Sequence, residues 1–221
     1  MKRQLLSGVA LAFLMAFPSL VMAQAGGVQD GVKLGKVIVS GENPVIRLLD
    51  KENGAVLTAA SFWRIVWSPV GPGHVCYVTT GDGKSPTDLR IALVDNPKVY
   101  DYLTNQVLGT YDKTYQERPF TVVSGATFAS SGDPAREWKE SCRSERYNVE
   151  LVWSDFYEPF QLDTPVGGPR NPFGITSLFI PARRAQVIVN GKPTAGNVYP
   201  QMRGPAQSSG AFLAFSESWI K

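Results

Sequence analysis

The sequence predicts a mainly β, single-domain fold: an antiparallel β-barrel or a β-sandwich with one packing α-helix. Three observations carry this expectation. Short runs rich in Val, Ile, Leu, Thr and aromatic residues are separated by Gly, Pro, Asn and Asp clusters along most of the chain. Only one stretch shows helical periodicity. Strands and helices do not alternate, which argues against a doubly wound α/β sheet. The 21 Gly and 16 Pro of 221 residues supply the turns without reaching low-complexity composition.

Taken in order, strands are expected over residues 37–39, 45–49, 56–58, 62–67, 75–80 and 89–94. Turn chemistry lies between them at Asn43-Pro44, Asn53-Gly54, Gly71-Pro72-Gly73 and Gly81-Asp82-Gly83. The helix comes next. Asn96 can cap it, Pro97 suits its first position, and Gly109 suits its exit. Val99, Tyr102, Leu103 and Val107 then form one apolar stripe, the mark of a helix packed on a sheet.

Later strands are expected over 120–128, 137–143, 147–156, 175–180, 185–189 and 211–219. Alternation is clearest where Tyr147, Val149, Leu151 and Trp153 share one face. Asn190-Gly191 is a hairpin turn, and Pro193 beyond it marks an edge strand. Two turn-rich stretches, 163–174 and 199–210, are long enough for functional loops.

Residues 1–23 read as a signal peptide and 24–221 as a single β-rich domain. Lys2 and Arg3 precede an apolar run that Pro18 ends, and Val21-Met22-Ala23 offers a cleavage site. The run falls short of the roughly 17–25 residues that cross a bilayer, so no stable membrane insertion is expected after cleavage. No Cys follows the run, which excludes a lipoprotein. Export to a periplasm, or full secretion, is the expected destination. It places Cys76 and Cys142 in an oxidising compartment, where two lone cysteines read as a disulfide. Such a bond would contribute about 4 kcal/mol through loop closure. Trp138 and Cys142 fall on one face of their strand.

Composition removes many functions. With only His74, no metal site or mechanism needing two histidines can form in one chain. No cofactor motif is present. Signal cleavage takes Lys2 and Arg3 from a chain of formal charge +3, leaving too little positive charge for a nucleic-acid partner. His74 and Cys76 share a strand face and form the nearest approach to a nucleophile–base pair, but a disulfide would silence the thiol. No Gly-x-Ser-x-Gly elbow accompanies His74. Among carboxylates, Asp155 and Glu158 lie in an aromatic segment where burial could raise a pKa, which suits a hydrolase or isomerase.

The aromatics suggest binding instead. Gathered inside a lipocalin-like barrel, Trp63, Trp67, Tyr77, Trp138 and Trp153, with Phe128 and Trp219, would line an apolar pocket. Arg170, Asn171 and Phe173 in one long loop, and Met202 and Arg203 in the other, would stand at its mouth. The competing expectation is an interior filled by these same side chains. Three function classes therefore stand: a periplasmic binding or accessory protein for a small, partly apolar or aromatic ligand; a carboxylate-dependent hydrolase or isomerase; and an envelope interaction module whose edge at 193–198 pairs with a partner strand.

Overall fold

Period-2 alternation organises this molecule, because its central strands bury both faces against different covers. The computed structural model describes residues 35–81, 85, 88–168 and 171–221. The expected signal peptide, the residues on to 34, and Arg170 lie outside the described residues. The strands are β1 (Val37–Glu42), β2 (Val45–Leu49), β3 (Val56–Trp67), β4 (Gly73–Thr80), β5 (Arg90–Val94), β6 (Thr121–Ser124), β7 (Thr127–Asp133) and β8 (Glu137–Arg143). They continue as β9 (Asn148–Phe156), β10 (Phe160–Thr164), β11 (Gly174–Val189), β12 (Lys192–Pro193), β13 (Pro200–Arg203), β14 (Ala206–Ser209) and β15 (Phe212–Ile220). The protein is mainly β, as its sequence predicts.

One path of hydrogen-bonded neighbours runs β6-β5-β4-β3-β1-β15-β11-β9-β8-β7. β6 and β7 thus occupy opposite ends of the path, yet only Gly125 and Ala126 connect them. A link that short reaches only about 10 Å, so the sheet must roll until its ends approach. Gly125 makes the corner at a φ of 74°. The Ala126 N–H donates to the Val94 carbonyl of β5 at 3.1 Å and pins the closure.

The opposite corner belongs to β11. Its first half pairs with β15 and its second half with β9. The sequence predicts two strands, 175–180 and 185–189, where this single 16-residue strand runs. The chain runs through because Pro181, which has no N–H to donate, sits where β11 changes partners. The segments 56–58 and 62–67 likewise fuse into β3 through small residues 59–61. Conversely, the single strand expected over 120–128 splits into β6 and β7 at Gly125.

The helix begins as expected. Asn96 Oδ1 accepts from the Lys98 N–H at 3.1 Å, and Pro97 opens the first turn. After Pro97–Tyr102 the helix widens into a π segment at Leu103–Leu108, then closes through Gly109–Tyr111. Gly109 is therefore not the exit. Its φ of −67° is helical, and a Cβ there would lie 2.5 Å from the Thr104 carbonyl oxygen that its own N–H bonds. Close approach selects glycine at this position. The helix carries the chain from β5 to the parallel strand β6, which makes an otherwise antiparallel sheet mixed at this one pairing. Among the described residues no helix is long and apolar enough to cross a membrane.

Even-numbered residues of β2, β3 and β4, including Leu48, Phe62 and Cys76, point into the roll. They meet Val149, Leu151 and Trp153 of β9 and Leu213 of β15. Odd-numbered Trp63, Ile65, Val75 and Tyr77 point outward, where Val99, Leu103 and Val107 of the helix cover part of them. The rolled interior is filled. The Asn190-Gly191 turn forms with φ of 50° and 76° and leads into the short edge strand β12. Beyond it the backbone is already engaged: Thr194 N–H bonds Val187 O, and Leu49 and Asn197 exchange both hydrogen bonds.

Truncating Leu151 to Ala, a fully buried side chain, should cost about 2–5 kcal/mol in denaturant unfolding, because its packed neighbours relax only partly into the space left. Trp67→Ala, at a side chain 47% exposed, should stay within about 0.5 kcal/mol. Comparable losses at the two positions would contradict a packed interior.

Candidate functional site

The principal cavity lies on the outer face of the rolled sheet, not inside it. Its volume is about 560 Å³, within the range of roughly 300–1,000 Å³ typical of small-ligand pockets. Odd-numbered residues of β2 and β3 (Val45, Arg47, Ala59, Ser61, Trp63) and Tyr77 of β4 form its floor. Tyr115 and Phe120, after the helix, form one wall; Phe179 of β11 and Phe212 of β15 form another. The rings are in mutual contact: Tyr77 meets Phe120 at 4.9 Å and Tyr115 at 5.4 Å, and Phe179 stacks on Phe212 at 4.2 Å.

A β-bulge sets the polar centre. Ser216 and Glu217 together stand opposite the single Ser177 of β11, and Ser216 takes a φ of 50°. Before this bulge, Leu213 and Phe215 face the filled interior. After it, Glu217 and Trp219 face the cavity. One extra residue exchanges the two sides of the strand.

Glu217 Oε1 accepts from the Trp219 indole N–H at 2.6 Å and from Asn43 Nδ2 at 3.4 Å. Ser61 in turn donates to Asn43 Oδ1 at 2.9 Å. Burial pushes the Glu217 carboxyl up to about 7, against the pull of its hydrogen bonds to Trp219, Asn43 and Ser177 and of the Arg203 charge. Burial also pushes the Tyr115 hydroxyl up to about 12. The cavity thus holds a carboxyl that gains and loses its proton close to neutral pH.

Arginines rim the cavity. Arg203 lies over the Phe179 ring at 4.7 Å, and Arg90 over Phe120 at 4.0 Å. Arg90 donates to the carbonyls of Arg118 and Thr114, so its guanidinium is fixed as part of the wall. Asp112, the other acid at the cavity, accepts from both the backbone and hydroxyl of Thr114.

Of the pocket residues expected from sequence, Trp63, Tyr77 and Arg203 line this cavity, with Asn171 and Trp219. Trp67 is largely exposed. Trp138 and Trp153 go to the filled interior, where their indoles donate to Glu140 and to the Val45 carbonyl. Phe173 packs behind Trp219 at 5.8 Å, outside this lining. Met202 is exposed. An aromatic pocket inside the barrel is therefore corrected: the parity that sends Trp63 and Tyr77 outward sends Phe62 and Trp153 inward.

Asp155 and Glu158 are exposed and line no part of the cavity. Asp155 is held by Arg183 at 3.2 Å and Arg184 at 3.8 Å. Cys76 and Cys142 meet in the interior as two free, fully buried thiols, not as a bonded pair. Burial, with Cys76 beside it, raises the Cys142 thiol well above its usual range. His74 turns away to Asp95, 2.6 Å from its Nδ1, and stacks on Phe128. A sealed Cys76 leaves it no partner for nucleophilic chemistry.

Sequence reading missed Glu217 and Glu140. Glu140 is wholly buried, bonded to Ser130 at 2.6 Å and Trp138 at 2.8 Å beside Arg64, and burial raises its carboxyl. Glu217 had a signal: it is the single acid in an otherwise uncharged apolar strand, two residues from Trp219. Among the described residues no group of three His, Cys, Asp or Glu side chains gathers where a metal could bind. Comparison with protein-family models, curated proteins and solved structures finds no match to this chain.

Glu217 makes stability depend on pH in a defined direction. Between its unfolded value near 4.5 and its folded value near 7 the native state binds more protons, so stability falls as pH rises through this window. The whole penalty, on the order of 3 kcal/mol, is present above it. Glu217→Gln should match the parent at pH 4.5 and exceed it at pH 8 in chemical denaturation. An unchanged slope would remove Glu217 as its source.

Proposed function

We propose that the chain is an exported, periplasmic small-ligand-binding or accessory protein whose ligand occupies the outer-face cavity. The observation that carries this is a cavity of about 560 Å³ in which aromatic walls surround a buried, hydrogen-bonded carboxyl. Filled cores do not leave such space. Apolar surface supplies binding energy there, and a few fixed polar groups orient the ligand. The preformed hydrogen bonds of Glu217 lower the ordering cost of association.

Export rests on the amino-terminal segment. It would give the adjacent Cys76 and Cys142 thiols, free in this structure, an oxidising surrounding in which they would pair as a structural disulfide. Pairing would then tie β4 to β8 across the filled interior, and the bond would serve stability, not chemistry.

Titration of the mature protein with N-phenyl-1-naphthylamine, a neutral arene, should give saturable binding with energy transfer from tryptophan. Ala59→Trp and Thr79→Trp, which place bulk in the cavity, should each weaken it by about tenfold or more while the circular-dichroism melt persists. Undiminished binding in both folded variants would exclude this site. Intact mass should show a mature chain beginning at Gln24 and lighter by two hydrogens until reduced. Alkylation of both cysteines in the unreduced, unfolded protein would contradict the bond.

A further inference from the structure

The cavity's polar groups are unbalanced in one direction, and that imbalance identifies a ligand class. Arg47 reaches it from β2 and Arg203 from the β13–β14 hairpin, and neither is in a salt bridge among the described residues. They lie close enough that the charge of Arg47 lowers the Arg203 pKa, alongside the larger effect of burial. Two cations on one cavity lining repel each other, and Glu217 offsets that only in part, so an anion between them would be favoured.

A third donor belongs to the same lining. Trp63 is 2% exposed, lines the cavity, and its indole N–H has no hydrogen-bond partner among the described residues. An unpaired buried donor is costly, and a ligand acceptor would relieve it. The acceptors are by contrast committed: Asp112 to Thr114, and Glu217 to Trp219 and Asn43.

We propose that the cavity selects a small aromatic anion, with its ring against Tyr77, Tyr115 and Phe120 and its anionic group held between Arg47 and Arg203. This rests on the ligand-binding reading and adds the charge and shape of the ligand to it. A cation would meet two arginines, and a neutral arene would leave both unpaired. The stacking of Arg203 on Phe179 fixes its planar fork, which suits a carboxylate or sulfonate. The apolar walls supply affinity for the ring, and the two guanidinium groups supply discrimination.

The test compares 8-anilinonaphthalene-1-sulfonate with N-phenyl-1-naphthylamine, the same arene without its sulfonate, on the full mature chain. The sulfonate should bind about tenfold tighter or more, the worth of a charge-assisted contact. Arg47→Gln and Arg203→Gln should each lower the ratio of sulfonate to neutral-probe affinity severalfold, whatever they do to the neutral probe itself; Arg183→Gln, outside the cavity, should leave the ratio unchanged. Preference for the neutral probe, or a sulfonate preference insensitive to both arginines, overturns the anion proposal and leaves the ligand-binding reading standing. Failure of both probes, or binding undiminished in the cavity-filling variants Ala59→Trp and Thr79→Trp, overturns both.

Discussion

Two-sided burial of strands β3 to β5 is the constraint on which the rest depends. A strand with one wet face needs only one apolar set, but these carry two, displaced by one residue. Phe62 and Cys76 require a layer on one side, while Trp63 and Tyr77 require a different cover on the other. The roll supplies the first layer, by bringing β8, β9 and part of β11 over the inner face. The helix between β5 and β6 supplies the second, and it is too short to cover the whole outer face. The uncovered remainder is the cavity. Its position follows from how far helix 97–111 reaches, with Tyr115, Phe120 and the loops before β11 and β15 raising its walls.

The bulge in β15 couples the two sides. A regular strand would place Leu213, Phe215, Glu217 and Trp219 on a single face, and an acid would then enter the filled interior. One surplus residue at Ser216 keeps the two apolar residues inside and delivers the acid and the indole to the cavity. A left-handed conformation for Ser216 is backbone strain that local sequence does not favour. The hydrogen bonds of Glu217 to Trp219 and Asn43 hold the strand in this shape.

Much of the fold was legible because alternation and turn chemistry are local. Asn190-Gly191, the Asn96-Pro97 helix start, the shared face of Trp138 and Cys142, and the pattern of β9 could be read directly from spacing. What could not be read was non-local. The fusion of β3 and of β11 depends on which partners lie alongside, and the parallel pairing of β5 with β6 depends on where the helix returns the chain. Placing the pocket failed for a related reason. Trp63 and Trp153 are both strand tryptophans, and composition cannot say which one faces a void. Parity relative to Phe62 contained that information, since Phe62 and Trp63 must point in opposite directions, but choosing the filled side required the roll.

The buried carboxyls show how differently one residue type can be used on two faces of the same sheet. Glu140 lies inside, where Arg64, Ser130 and Trp138 surround it and the site has no room for a further group. Its network is closed and serves to fix β8 against β3 and β7. Glu217 also accepts from an indole and from a neighbouring polar side chain, yet it adjoins empty space and feels the charge of Arg203. Desolvation opposes the charge on both. A fold seeking only stability would replace Glu217 with an apolar residue and let Phe179 and Phe212 collapse inward, because a buried acid beside a void loses both packing and solvation. The acid, the void and the donor-lined rim each cost stability while the cavity is empty, and a single occupant with an anionic group would offset all three.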